Sequence, residues 1–294
     1  MIHHKQKFSW LDLTLAALIL AALAFLAYRI KMGLDYKWNW QSIPQFIFRF
    51  DREEMRWIPN VLMQGLFTTI RLSLWSTLFA TVLGTVAGLC RVSESLFKRL
   101  VGGAYVQLVR NLPPLVLVFI FYFFIGEQIM TALGVDRLIR ALSDESLAVL
   151  AYLFAPPQQL PAFLTALLAL TVFEGAYITE IVRAGVESVG KNQWEAAHAL
   201  GFSRWQQMRY IILPQAFRRI LPPLSGQFVS TIKDSAIVSV ISIQELTFQG
   251  MELMAATYYT FEIWITITLL YLLLTLSLSF GVNRLEIHLR KRGD

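Results

Sequence analysis

An all-α, polytopic membrane fold is what this 294-residue sequence predicts, and three observations carry the prediction. Charged residues make up only 16% of the chain, whereas soluble domains of this length carry about a quarter. Hydrophobic residues reach 56%, with a mean hydropathy of +0.53. Apolar stretches also recur in runs long enough for crossings of roughly 20 residues each. This balance argues against a soluble enzyme. The single cysteine, Cys90, excludes a disulfide framework and a zinc site built from several thiolates. The formal charge of +6 could suit nucleic acid, but basic residues interrupted by long apolar runs mark cytoplasmic loops instead.

Six apolar runs are read as helices, because an unpaired backbone group in lipid costs several kcal/mol. The first, Leu11 to Tyr28, follows His3, His4, Lys5 and Lys7. It is longer than a secretory h-region and lacks a small-residue cleavage site, so it reads as a retained anchor. The second is Leu62 to Leu89; between the two lies a charged stretch, Asp51 to Arg56, expected outside. The third, Leu112 to Ile125, is short unless it begins near Tyr105, and Pro113 and Pro114 suit a helix start. The same stretch carries Arg110, which could anchor at the lipid phosphate level. Leu147 to Phe154 is too short to span and reads as interfacial or re-entrant. The last three runs are Phe163 to Val186, Leu221 to Ile243 and Phe261 to Val282. With the N-terminus inside, fifteen Lys and Arg fall on one side and eight on the other. Both termini are therefore expected in the cytoplasm. The expected organisation is an anchor and external loop (1–60), a membrane domain (61–285) and a basic cytoplasmic tail (286–294).

The largest internal loop, 188–214, carries a spaced motif. It reads Glu195, Ala196, Ala197, three residues, Gly201, nine residues, then Ile211, Ile212, Leu213, Pro214. Physically this is helix, glycine turn, helix, with Gly201 suited to a left-handed C-cap and Ser203 to an N-cap. Two alanines beside Leu200 make a shallow apolar face that another protein could approach closely, and Glu195 sets a charge next to it.

The motif resembles the signature of permease subunits of binding-protein-dependent ABC importers. The resemblance extends to the polar amino acid uptake branch through Gly65–Ser73, Tyr105–Pro114, Gly175–Arg183, Gln193–Gly201, Leu213–Phe217 and Ile232–Leu246. It implies a type I importer permease fold, with a five-helix core plus one N-terminal helix. It also implies that Glu195, Ala196, Ala197, Leu200 and Gly201 dock a cytoplasmic ABC ATPase dimer, which binds and hydrolyses ATP-Mg while this chain holds no cofactor. A second permease copy or related permease, an extracytoplasmic amino acid binding protein and the bacterial inner membrane complete the implied assembly. A passive channel or secondary transporter would not need such a loop.

Other readings of these residues are weaker. A helix-turn-helix tethered between two spans cannot easily seat in a major groove. Gly185, Gly190 and Lys191 nearly spell a P-loop, but Asn192 replaces the required Ser or Thr and no strand precedes. His3, His4, His198 and His288 form no HExxH pattern.

Ionisable groups within the apolar runs are functional candidates, since each costs about 3 kcal/mol or more at mid-bilayer. Glu174 lies well inside the fourth run. It could hold a substrate ammonium, or be protonated or bonded to a neighbouring helix. Glu180, Arg183 and Glu187 share one helical face and read as an ion-pair cluster. Lys233 and Asp234 point about 100° apart on a helix and each needs a partner elsewhere, as an interhelical pair or a gate. Gln227, Thr231, Ser235, Ser239 and Ser242 would lie along one face of a continuous helix, as a pathway lining or as helix glue.

Overall fold

The computed structural model describes residues 10–33 and 36–291. His3, His4, Lys5, Lys7 and Arg292 lie outside the described residues. The chain divides at Trp40 into two compact units. The first contains α1 (Trp10–Gly33), 24 residues long, or about 36 Å at 1.5 Å per residue. Trp10 and Tyr28 are exposed near its two ends, with Leu18, Ile19 and Leu20 exposed between them.

The second unit opens with a short helix, α2 (Ile43–Ile47), and an antiparallel hairpin of β1 (Phe48–Asp51) and β2 (Arg56–Pro59). Then α3 (Val61–Arg91) runs for 31 residues. Its buried positions are mostly small: Gly65, Thr69, Ser73, Ser76, Ala80, Gly84 and Gly88. Its bulky side chains, among them Phe67, Leu74, Leu78 and Phe79, are exposed. Small residues inward and large ones outward is how helices pack in lipid, where close backbone approach replaces the hydrophobic drive.

The partner of that small face is α8 (Leu160–Glu187). A Cβ at Gly84 would fall 2.7 Å from Ile178 Cβ, and one at Gly88 2.8 Å from Val182 Cβ. The numbers rise together, so α3 and α8 run parallel, and the segment between them must return across the bundle. That return is made by α4 (Leu96–Asn111), α5 (Pro114–Ala132), α6 (Val135–Ala141) and α7 (Asp144–Leu153). The third crossing is α5. It begins at Pro114 rather than near Tyr105, because Leu112 is extended and Pro113 follows it. It gains its length at the other end, through a π turn at Phe121–Gly126. Gly126 packs against Thr165, and Arg110, just before α5, stacks 5.1 Å from the Tyr177 ring centre. Helix α5 therefore runs opposite to α8.

Leu147 to Phe154 falls in α7 and its C-cap, Phe154. Arg71 donates to the Ala151 carbonyl at 2.6 Å and Trp75 Nε1 to the Leu153 carbonyl at 2.9 Å, so side chains of α3 satisfy the helix end.

After α9 (Lys191–Ala199), one turn at Arg204–Gln206 and a π segment at Gln207–Ile212 lead into α10 (Leu213–Asp234). Helix α10 lies antiparallel to α8, with Ile220 against Gly185. The fifth run departs from expectation: the α-helix stops at Asp234, and Ser235–Ile241 is a 3-10 segment ending on Ser242 with φ +60°. Pro222 and Pro223 sit inside α10. Two more helices complete the chain, α11 (Leu246–Thr257) and α12 (Thr260–Lys291). Buried Glu245 joins three helices: it caps α11 at the Phe248 N–H (2.7 Å) and accepts from Tyr271 of α12 (2.8 Å) and Thr69 of α3 (3.4 Å).

Among the described residues, four helices are long and apolar enough to cross a membrane: α3, α5, α8 and α12 to Arg284. In its most apolar window α8 is 67% buried and α12 only 11%. Helix α8 is the centre of the fold and α12 its periphery.

Candidate functional site

Two groups of residues stand out, one inside the bundle and one at the end where α8 terminates. The inner group lies between α8 and α10. Glu174 is fully buried, and Gln227 Nε2 donates to its Oε2 at 2.6 Å. Thr231 and Asp234 lie against the same carboxyl. These four residues come from two antiparallel helices, with Gln227, Thr231 and Asp234 at helical spacing on α10 facing the single Glu174. The second oxygen, Glu174 Oε1, is buried without a hydrogen bond. A carboxylate oxygen of this kind is an acceptor for a donor-rich cation.

The expected polar stripe is only partly formed. Thr231, Ser235 and Ser239 are buried, but the change to 3-10 winding after Asp234 breaks the α period, and Ser242 is exposed. The Thr231 and Ser235 hydroxyls donate to carbonyls of their own segment, Gln227 and Ile232, at 3.0 and 2.8 Å. Lys233 is exposed, and its neighbour Asp234 turns to Glu174 instead.

Toward the C-terminal end of α8, Glu180 accepts from both Arg183 (2.9 Å) and Arg91 of α3, and Arg183 also pairs with Glu187. The sequence places the three residues of α8 on one face. Arg91 is the member that it leaves out, though Arg91 is the first charge after the second apolar run. Arg219 of α10 donates to the Ser188 carbonyl, which ties α10 to the C-cap of α8.

The loop group begins just beyond. Helix α9 ends at Leu200, and Gly201 adopts φ +77°, where a side chain is disfavoured. The turn is closed by Gly201 N–H to His198 O (2.9 Å) and Phe202 N–H to Ala197 O (3.2 Å). Ser203 and Gln206 then form a reciprocal capping box that starts the next turn. Gln207, buried, donates to the Phe202 carbonyl at 2.7 Å. Gln215 reaches Gln193 at 3.2 Å, and Arg204 pairs with Glu94 of the α3–α4 connection.

Exposure differs among these residues. Glu195, Ala196, Leu200 and Gly201 face outward, with Leu200 75% exposed. Ala197 is buried, 1% exposed, so it is not on the outer surface of the loop. Its carbonyl closes the turn. The near P-loop is excluded as a phosphate cradle, because Gly185 lies within helix α8 against Ile220.

With this geometry in place, comparison with known proteins is direct. Residues 80–291 match the family described as binding-protein-dependent transport system inner membrane component. The chain is 35% identical over 234 residues to the probable glutamine ABC transporter permease protein GlnM of Bacillus subtilis (strain 168), covering 79% of this chain and 94% of that one. It is 34% identical over 255 residues to the glutamine transport system permease protein GlnP of Escherichia coli (strain K12), covering 87% and 97%. Among solved structures, that of an amino acid ABC transporter with histidines superposes with a TM-score of 0.66 at 28% identity, over 86% of this chain and 100% of that one.

Proposed function

This chain belongs to the binding-protein-dependent transport system inner membrane component family, and from that premise we propose how its parts divide the work of import. It is the permease subunit of an ABC importer for polar amino acids, and ATP is hydrolysed by a separate subunit. The finer reading is that two permease copies, identical or related, form the pathway in a bacterial inner membrane. An extracytoplasmic binding protein feeds them and an ATPase pair, using ATP-Mg, drives them. Six crossings with both termini in the cytoplasm fit the charge distribution, with α1 and the α10 to Ile241 segment as the two beyond α3, α5, α8 and α12.

The observation that carries the coupling role is the outer surface of α9 and its turn. Glu195, Ala196, Leu200 and Gly201 present one charge among small or apolar groups, on a loop braced by Gln207, Gln215, Arg204 and Arg219. Braced in this way, the loop transmits a push from the ATPase to α8 and α10 rather than absorbing it. Ala196→Cys, with Cys90→Ser as background, is expected to cross-link to an ATPase subunit in native membranes and to change yield with nucleotide. Failure of cross-linking at 196, with the chain purifying free of any ATPase, would overturn the coupling role.

Glu174, Gln227, Thr231 and Asp234 are the proposed contact for the transported molecule. Two adjacent carboxyls in an apolar bundle repel unless a proton or a cation lies with them, and every amino acid brings an ammonium group. Glu180 and Arg183 of α8 with Arg91 of α3 form a latch between those two helices at their cytoplasmic end.

A further inference from the structure

We propose that the aromatic face of the β1–β2 hairpin is an anchor seated in the outer headgroup layer of the bilayer. The proposal rests on the topology above, in which the hairpin is extracytoplasmic. In the antiparallel register, Phe50 pairs with Trp57 and Phe48 with Pro59, so these four residues share one face. Arg49, Asp51, Arg56 and Ile58 share the other. The Phe50 and Trp57 rings meet edge to face at 5.6 Å, yet Phe48, Phe50 and Trp57 remain 39%, 44% and 68% exposed.

Depth identifies what covers them. Helix α12 is the peripheral helix, and its outer side chains are exposed apolar groups. Between Glu262 and Arg284 it carries 21 uncharged residues, 263 to 283, or about 31 Å of helix, close to the roughly 30 Å hydrocarbon thickness. The hydrocarbon layer therefore begins near Ile263. Ile263 and Ile267 share a buried cluster with Ile43 of α2 and Leu62 of α3, the elements on either side of the hairpin. The hairpin is also fixed at that level. Asn60 N–H donates to the Ile47 carbonyl (2.9 Å), Asn60 Nδ2 to the Gln45 carbonyl (2.6 Å) and Gln64 Nε2 to the Pro59 carbonyl (3.1 Å). The base of the hairpin is thus held at the level of the α12 end that carries Trp264, 36% exposed. The Trp57 indole, with a polar N–H on an apolar ring, is favoured at that depth, Phe48 and Phe50 add apolar area beside it, and arginine next to them can meet phosphate. At that depth the occupant of the exposed aromatic face is lipid.

The test places a nitroxide at Phe48→Cys or Arg49→Cys, each with Cys90→Ser, in the full chain reconstituted into lipid nanodiscs. Collision with oxygen relative to a water-soluble nickel chelate is expected to be several-fold higher for the label at 48 than for that at 49. Equal and strong nickel accessibility at both positions would overturn the anchor and leave that face to a protein partner. Labelling of Glu53→Cys, at the hairpin tip, by an impermeant maleimide from outside intact cells separates the two levels of the argument. Labelled tips with a wet residue 48 defeat the anchor alone, whereas tips protected from outside and labelled only after lysis defeat the topology beneath it.

Discussion

The two sides of α8 are built on opposite rules. Around Gly84 and Gly88 the contact toward α3 is dry and close, with backbones brought against Ile178 and Val182, and the ion pair of Arg91 with Glu180 lies apart at the end of the two helices. Toward α10 the contact is polar, with Glu174 held by Gln227 beside Thr231 and Asp234. Close backbone packing has one good arrangement, because any sliding forces atoms together. A pairing of long polar side chains can have several of similar energy. The proposed transport role would use both kinds of contact, one helix pair that keeps its register and one able to change it.

The largest effect is expected on the dry side. Gly84→Leu forces a branched side chain into space already filled by Ile178, and overpacking of this kind costs about 1–3 kcal/mol or more. The variant should fail to accumulate as a monodisperse species on size exclusion in mild detergent. Val82→Leu, on the exposed face, should behave as the wild type; similar behaviour of both variants would remove the distinction between the two sides. Gly201→Asp comes next. It places a side chain at φ +77° and on the proposed docking surface, so ATP-driven uptake in vesicles should fall below detection while membrane insertion is normal.

On the polar side, Glu174→Gln preserves shape and removes charge. Folding should be unchanged, and the affinity for transported substrate should drop about tenfold, the usual worth of a hydrogen bond to a charged group. Unchanged affinity and substrate ranking would remove Glu174 from the pathway. Arg91→Ala should have the smallest effect that can be measured. Glu180 keeps Arg183, and a partly exposed pair is worth about 1 kcal/mol or less, so only a slight loss of thermal stability is expected, read by a thiol-independent unfolding assay.

Much of this architecture is legible in the sequence, and what is not has physical reasons. The runs that became α3, α8 and α12 are long, apolar and bounded by charge, so length alone identifies them. The Gly201 turn was legible because glycine at a left-handed C-cap, followed by Ser203 and Gln206, is a local code. The start of α5 was less legible, since a tract preceding two prolines can end one helix or begin another. The 3-10 winding at Ser235–Ile241 left no mark, because serine and alanine among Ile and Val suit either helix. Arg91 with Glu180, and Asp234 with Glu174, are meetings between helices far apart in sequence, and periodicity within one helix cannot report them. Ala196 and Ala197 look alike on paper; only the packing of α9 on the following segment turned one outward and the other inward.

The composition of α10 has a consequence for how the protein is made. With Arg218, Arg219, Lys233 and Asp234 and two internal prolines, it is absent from the helices apolar enough to cross on their own account. A segment of that polarity partitions poorly into lipid when it leaves the translocon by itself. It needs α8 already in place, offering Gly185 to Ile220 and Glu174 to Gln227. Biogenesis of this chain is therefore expected to be ordered: α8 acts as an intramembrane template for the helix that follows it, and a bulky residue at Gly185, which packs on Ile220, is met first by membrane quality-control proteolysis, before any substrate arrives.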